Sequence, residues 1–376
     1  MLVFWGYCMK AFSDVKYLDS RDIELIEKGI NYNVWLMCGD NIEQQKELKN
    51  IFVGKCTKLN IIGQKDKHSI LSSGTLGYCC ADENQNYIIE MYGYKDSTIE
   101  EQKKLTHESV HEFCHAMQHI MCDNSKFYDY NGCRYYVHGG TIVEEKLEEK
   151  KFSSYGVMFC ETITDLLTSI AIAYNENNHR LNADQILTHN YRNIAKYGLI
   201  LDGYSIYTSI ARLAIAAFNN GINYSYDSIL KSGQSIITAK VTDRLGNIKP
   251  LNDMLYGIMF DSRYIEDCYD KYMGNNSYYE LCSKLDTMLK REQSNPFIIK
   301  EVMQSLAVFH NKKNQDLFTS GAITQDELIE STSFFNNIFN EMQNEFNAYF
   351  FQTDLSSLLD TFKPYQLEKV DDKDGK

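Results

Sequence analysis

The chain has 376 residues, 44% of them hydrophobic, with 38 Lys and Arg against 51 Asp and Glu and a formal charge of −13. That length and apolar content suit one large or two medium domains. The acidic balance argues against a nucleic-acid partner, which needs basic patches, and no run of about 18 apolar residues is present to span a membrane.

Residues 1–10 are apolar but lack the charged start, long apolar core and small-residue cleavage site of a signal peptide; they read as an edge strand. Residues 20–30 and 41–52 read as helices, and 33–37 and 59–62 as short strands. Residues 75–80 and 87–92, joined by a polar turn, read as a β-hairpin. An exposed hairpin edge here would align an extended peptide by backbone hydrogen bonds; a purely structural hairpin is the alternative. Ser97-Thr98-Ile99-Glu100-Glu101 offers a capping box in two frames, so the next helix starts near residue 98. Its apolar stripe runs through Val110, Phe113, Cys114, Met117, Ile120 and Met121.

After that helix, the aromatic, glycine-rich stretch 128–140 is expected to form a cleft lip, with Tyr135, Tyr136 and His138 near substrate. The charge run 143–151 reads as a solvated helix face. A strongly apolar helix over 155–174 follows, and beyond residue 176 helices are expected at 183–196, 204–219, 276–291, 297–310 and 323–350. Residues 225–253 are polar and turn-rich, and the charged tail 368–376 reads as frayed. The resulting expectation is an α+β, mostly helical fold. A small N-terminal mixed sheet or hairpin (1–95) precedes a pair of catalytic helices (96–222), and a large helical C-terminal region (223–376) follows.

The chemistry lies on the helix over 105–119, which carries His107, His111, His115 and His119 at four-residue spacing. The pattern His-Glu-x-x-His occurs there twice, as His107-Glu108…His111 and as His111-Glu112…His115. Two imidazoles at i, i+4 share a helix face and can reach one ion, with the intervening Glu beside it to take a proton from water. All four cannot share an ion, because residues eight apart stand about 12 Å apart along the axis, whereas zinc–nitrogen bonds are about 2.0–2.1 Å. The uncharged flanks Val110, Phe113, Cys114, Ala116 and Met117 favour the second register. In that register His107 is expected to donate behind the metal ligands or at the core edge, and His119 marks the polar helix end. A plain amphipathic helix with incidental histidines is the alternative.

A catalytic zinc takes three protein ligands and keeps one position open. Glu161 and Asp165 stand four apart in the apolar helix 155–174, and buried carboxylates there need a partner. Glu161 is the natural third ligand, and Asp165 can accept the outer ring N–H of His111 or His115. A capping or salt-bridging role for the two acids is the alternative.

Together, His111-Glu112-Phe113-Cys114-His115 and Glu161-Thr162-Ile163-Thr164-Asp165 resemble the gluzincin, thermolysin-like metallopeptidases, and the run from Gly156 to Asp165 is similar to compact bacterial members. The resemblance covers residues 75–176. It implies zinc on His111, His115 and Glu161, Glu112 as general base, and a sheet ahead of the active-site helix. The 45-residue gap between His115 and Glu161 is longer than in compact types, and no downstream His or Tyr signature for stabilising the oxyanion is evident. Tyr155, Tyr204, Tyr207 and His138 are candidates for that role, Tyr155 and Tyr207 being preferred.

The functional expectation is a zinc-dependent peptidase acting on a peptide or protein, with no nucleic-acid or membrane partner. A non-catalytic, zinc-stabilised protein-binding module and a hydrolase of non-peptide amides are the rivals. Eleven cysteines with no Cys-x-x-Cys spacing suit reduced thiols in a cytoplasm, and richness in Asn, Ile, Lys and Tyr with three prolines suits a bacterial, AT-rich genome.

Overall fold

The computed structural model describes residues 20–63, 77–81, 86–93, 99–121, 128–130, 132–138, 141–149, 151–176, 205–218, 262–291 and 296–349. Within them the fold is α+β and mostly helical, with a three-stranded mixed sheet and a four-stranded antiparallel sheet. The expected N-terminal strand, the helix at 183–196, the turn-rich stretch 225–253 and the tail lie outside the described residues.

Helix α1 (Ser20–Cys38) runs straight through residues 33–37, which the sequence reading assigned to a strand. The correction has a simple cause: Ile26, Ile30, Val34 and Met37 recur at helical spacing and are all buried. The side-chain NH2 of Asn33, also buried, is satisfied without a strand ladder, because it donates to Gly29 O and Val110 O, both at 2.8 Å. Gly39, at φ 53°, ends the helix in the left-handed region. The Asn41 side chain then caps α2 (Ile42–Lys55) by accepting from Gln44 N at 3.2 Å.

The first sheet comprises β1 (Cys56–Gly63), β2 (Gly77–Ala81) and β3 (Tyr87–Gly93). β2 and β3 form the anticipated antiparallel pair, with Gly77 opposite Met91 and Ala81 opposite Tyr87. β1 joins the other side of β3 in parallel, which gives the order β1-β3-β2. On this sheet and on α1 lies α3 (Ile99–Met121). Phe52, Tyr87 and Phe113 interlock edge to face, with ring centroids 6.2–6.5 Å apart. The Tyr87 hydroxyl donates to Phe52 O at 2.7 Å, so this buried aromatic knot leaves no hydroxyl unpaired.

The second sheet is β4 (Tyr128–Tyr130), β5 (Cys133–His138), β6 (Thr141–Lys146) and β7 (Lys151–Tyr155), in sequential antiparallel order. It corrects the expected helix over 143–151. Thr141, Ile142 and Val143 are β-branched, Ile142 is buried, and the charged residues sit across a hairpin, Glu145 facing Phe152 and Lys146 facing Lys151. The charge run is thus strand, turn and strand. Gly156, at φ +80°, turns the chain from β7 into α4 (Val157–Glu176), and its N–H donates to Asp286 Oδ2 at 3.0 Å.

The C-terminal helices are α5 (Ser205–Phe218), α6 (Ser262–Met273), α7 (Ser277–Arg291), α8 (Pro296–Thr319) and α9 (Gln325–Tyr349). α5 and α7 pack on α4, and α8 and α9 close over α5. α6 was not anticipated from sequence, because its low overall apolarity hides a stripe of Ile265, Cys268, Tyr269 and Tyr272. A capping box starts α9: Glu327 N donates to Thr324 Oγ1 at 3.3 Å, and Thr324 N donates to Glu327 Oε2 at 2.6 Å.

Candidate metal centre

α3 is held from behind by α1, where Ser109 Oγ donates to Leu25 O at 2.7 Å. With Val110, Phe113, Cys114, Met117 and Ile120 fully buried on that side, the remaining face of α3 is turned to α4. Across it stand His111, His115 and Glu161. Glu161 Oε2 lies 3.2 Å from His111 Nε2 and 3.3 Å from His115 Nε2, and the two Nε2 atoms are 3.1 Å apart. These three side chains form the group, among the described residues, that can hold a metal ion. The donor triangle is nearly equilateral, and its edges are short enough that the three atoms could hold one ion at bond lengths of about 2.0–2.1 Å.

The outer nitrogens set the tautomers. His115 Nδ1 lies 3.2 Å from Gln118 Oε1, which also accepts from Thr164 Oγ1 at 3.2 Å and from Cys160 Sγ at 3.4 Å. An Nδ1–H donated to that oxygen leaves the Nε2 lone pair directed at the triangle. On the other side, Asp165 Oδ1 is 3.9 Å from His111 Nδ1 and 3.1 Å from His107 Nε2. A carboxylate with a 1% exposed side chain thus lies between two imidazoles. The donor set fits a divalent cation chemically: two imidazole nitrogens and a carboxylate oxygen converge, with Gln118 behind His115.

Without a cation, protons hold the same charges together. Burial works to raise the Glu161 carboxyl, but His115, followed by hydrogen bonds from His111 and His115, outweighs it and holds the group below the usual carboxylate range. Burial likewise disfavours charge on His115, yet Glu161 opposite raises its pKa well above the ordinary value. Glu112, 4% exposed and one residue after His111, is pushed well up, first by burial and then by Glu108. Burial also raises Glu108, against the pull of His111 and His107. Cys114 is an inert core thiol, pushed up to about 12 by burial.

The Tyr155 hydroxyl donates to Glu266 Oε1 at 3.3 Å, and its ring packs edge-on against Tyr279 at 5.0 Å. Burial raises Glu266 to about 7, with Asp270 adding to the effect. Tyr207 lies in the first turn of α5, and Tyr135, Tyr136 and His138 lie in β5. Tyr204 is outside the described residues. His119 sits half-buried in the last turn of α3.

Sequence reasoning missed three residues: Gln118, Thr164 and Gly77. Gln118 is one turn beyond His115 and buried among apolar neighbours, a signal that was present but unused. Gly77 has no sequence signal, since its place depends on how β2 packs against α3. No protein-family model, curated protein or solved structure matches this chain.

Proposed function

We propose that this protein is a zinc-dependent peptidase, with His111, His115 and Glu161 as the metal ligands and Glu112 as the general base. The observation that carries this reading is the donor triangle with 3.1–3.3 Å edges, flanked on the same helix by a buried carboxyl one residue after the first imidazole. Two imidazole nitrogens and one carboxylate oxygen are a donor set that suits zinc. Zinc held there supplies a Lewis acid that polarises a carbonyl and lowers the pKa of water to about 7.

The protein's own groups do the rest. With a cation's positive charge offsetting the burial that raises it, Glu112 would stand as a carboxylate, take the proton of the attacking water and return it to the departing amine. Gln118 holds the His115 imidazole in the ligating tautomer, and the Asp165 carboxylate stands between His107 and His111 behind the donor triangle. The edge strand β2, packed on α3, offers backbone groups along which an extended substrate can lie. Reduced thiols suit an intracellular setting.

The test is Glu112→Gln. The variant retains zinc at the wild-type ratio and loses a factor of about 10²–10⁴ in peptide hydrolysis, measured by digestion of a broad peptide library. Normal turnover by this variant disproves the assignment of the base. A zinc-loaded wild type that cleaves nothing instead supports a zinc-stabilised binding module.

A further inference from the structure

Glu108 is the Glu of the unused His-Glu-x-x-His frame, and the proposed mechanism gives it no task. It stands one turn before Glu112, so the two carboxyls rise from the same face of α3. They are joined by a side-chain hydrogen bond. Over them lies the first residue of β2, Gly77, with no side chain. A Cβ placed on Gly77 would stand 2.5 Å from Glu108 Oε1, 2.5 Å from Glu112 Oε1 and 2.8 Å from Glu112 Cγ. Non-bonded carbon and oxygen atoms keep about 3.3–3.6 Å apart. The strand therefore approaches the carboxyl pair more closely than any other residue type permits.

We propose that Gly77 and Glu108 are positioning residues for Glu112, a backbone lid and a side-chain wall that hold its carboxyl in one rotamer beside the metal donors. This inference rests on the peptidase reading and adds to it the device that aims the base. The lid acts from β2 and the wall from α3 itself, so the position of the base is set by the packing of sheet on helix. The atoms in the way of a Gly77 methyl group are mostly the free ends of two flexible side chains. Adding it displaces Glu112 rather than unfolding the protein.

The test uses the full chain loaded with zinc. Gly77→Ala keeps one zinc per chain, leaves the visible spectrum of the Co²⁺-substituted protein unchanged, and melts within a few degrees of wild type. It lowers kcat by about a hundredfold, the scale of a 1 Å misplacement, with KM nearly unchanged. In its crystal structure the Glu112 carboxyl has moved by about 1 Å, the distance the methyl contact demands. Glu108→Ala lowers kcat on the order of tenfold, whereas Glu108→Gln, which keeps the wall, stays near wild type. In Gly77→Ala/Glu108→Ala the vacated space lets Glu112 return, and kcat rises above that of Gly77→Ala alone. Wild-type kcat in Gly77→Ala, or an unmoved Glu112 carboxyl in its structure, overturns the inference and leaves the peptidase reading intact. A loaded wild type without any hydrolysis overturns both.

Discussion

On α3 and α4, His111 and His115 turn their Nε2 atoms toward each other and toward Glu161, within 3.3 Å. On α8 and α9, His310 is more deeply buried, at 0% exposure, and also has a polar residue one turn later. There the Asn314 amide donates to His310 Nε2 at 2.9 Å and to Ser331 Oγ at 2.8 Å, while the His310 ring stacks on Phe335 at 4.3 Å. The two sites share burial and i, i+4 spacing, yet their electrostatics oppose each other. Burial, reinforced by Lys313, lowers His310 to about 3, whereas Glu161 carries His115 well above its ordinary value. A buried histidine whose lone pair is already taken by an amide is part of the packing. Two lone pairs converging on a carboxylate are a seat for a cation.

Replacing Asp165 by Asn should separate the regions most. It removes the carboxylate charge beside His107 and His111 and weakens zinc binding by about 10–100-fold, read by competition with a chelating dye. Unchanged affinity would mean that Asp165 serves only the fold.

Acid offers the reverse handle, acting on the C-terminal pair. The unfolded chain takes up a proton on His310 near pH 6.5, while the folded protein refuses it until about pH 3. Stability from this residue is therefore complete above 6.5 and is lost as pH falls, by about 1.4 kcal/mol for each unit below 6.5. Urea melts of wild type and His310→Asn at pH 7.5 and 5.5 measure the difference, and equal pH slopes contradict it. The smallest effect belongs to Ser331→Ala, which deprives Asn314 of one acceptor and costs about 1 kcal/mol without altering zinc affinity. Any loss of zinc in this variant would dissolve the distinction between the two regions.

The helices bearing the candidate centre were legible because their signals are local. Histidines at fixed spacing, an apolar stripe beside them and two acids alone in an apolar helix declare themselves without knowledge of the fold. The β2–β3 hairpin was legible for the same reason. What escaped depends on distant partners. Residues 33–37 read as a short strand, and the role of Asn33 emerges only when Val110 O arrives from α3. The hairpin at 143–151 was hidden because its glutamates and lysines are also good helix formers; pairing with β5 and β7 decides the matter. The parallel β1–β3 pairing and the closeness of Gly77 to Glu112 are likewise products of packing.

The metal content of the purified chain tests the central claim most directly. After dialysis against limiting zinc, the wild type should hold one zinc per chain, while His111→Ala and Glu161→Ala should hold none and still fold by circular dichroism. Zinc retained in full by folded Glu161→Ala, or absent from the wild type, would contradict the account.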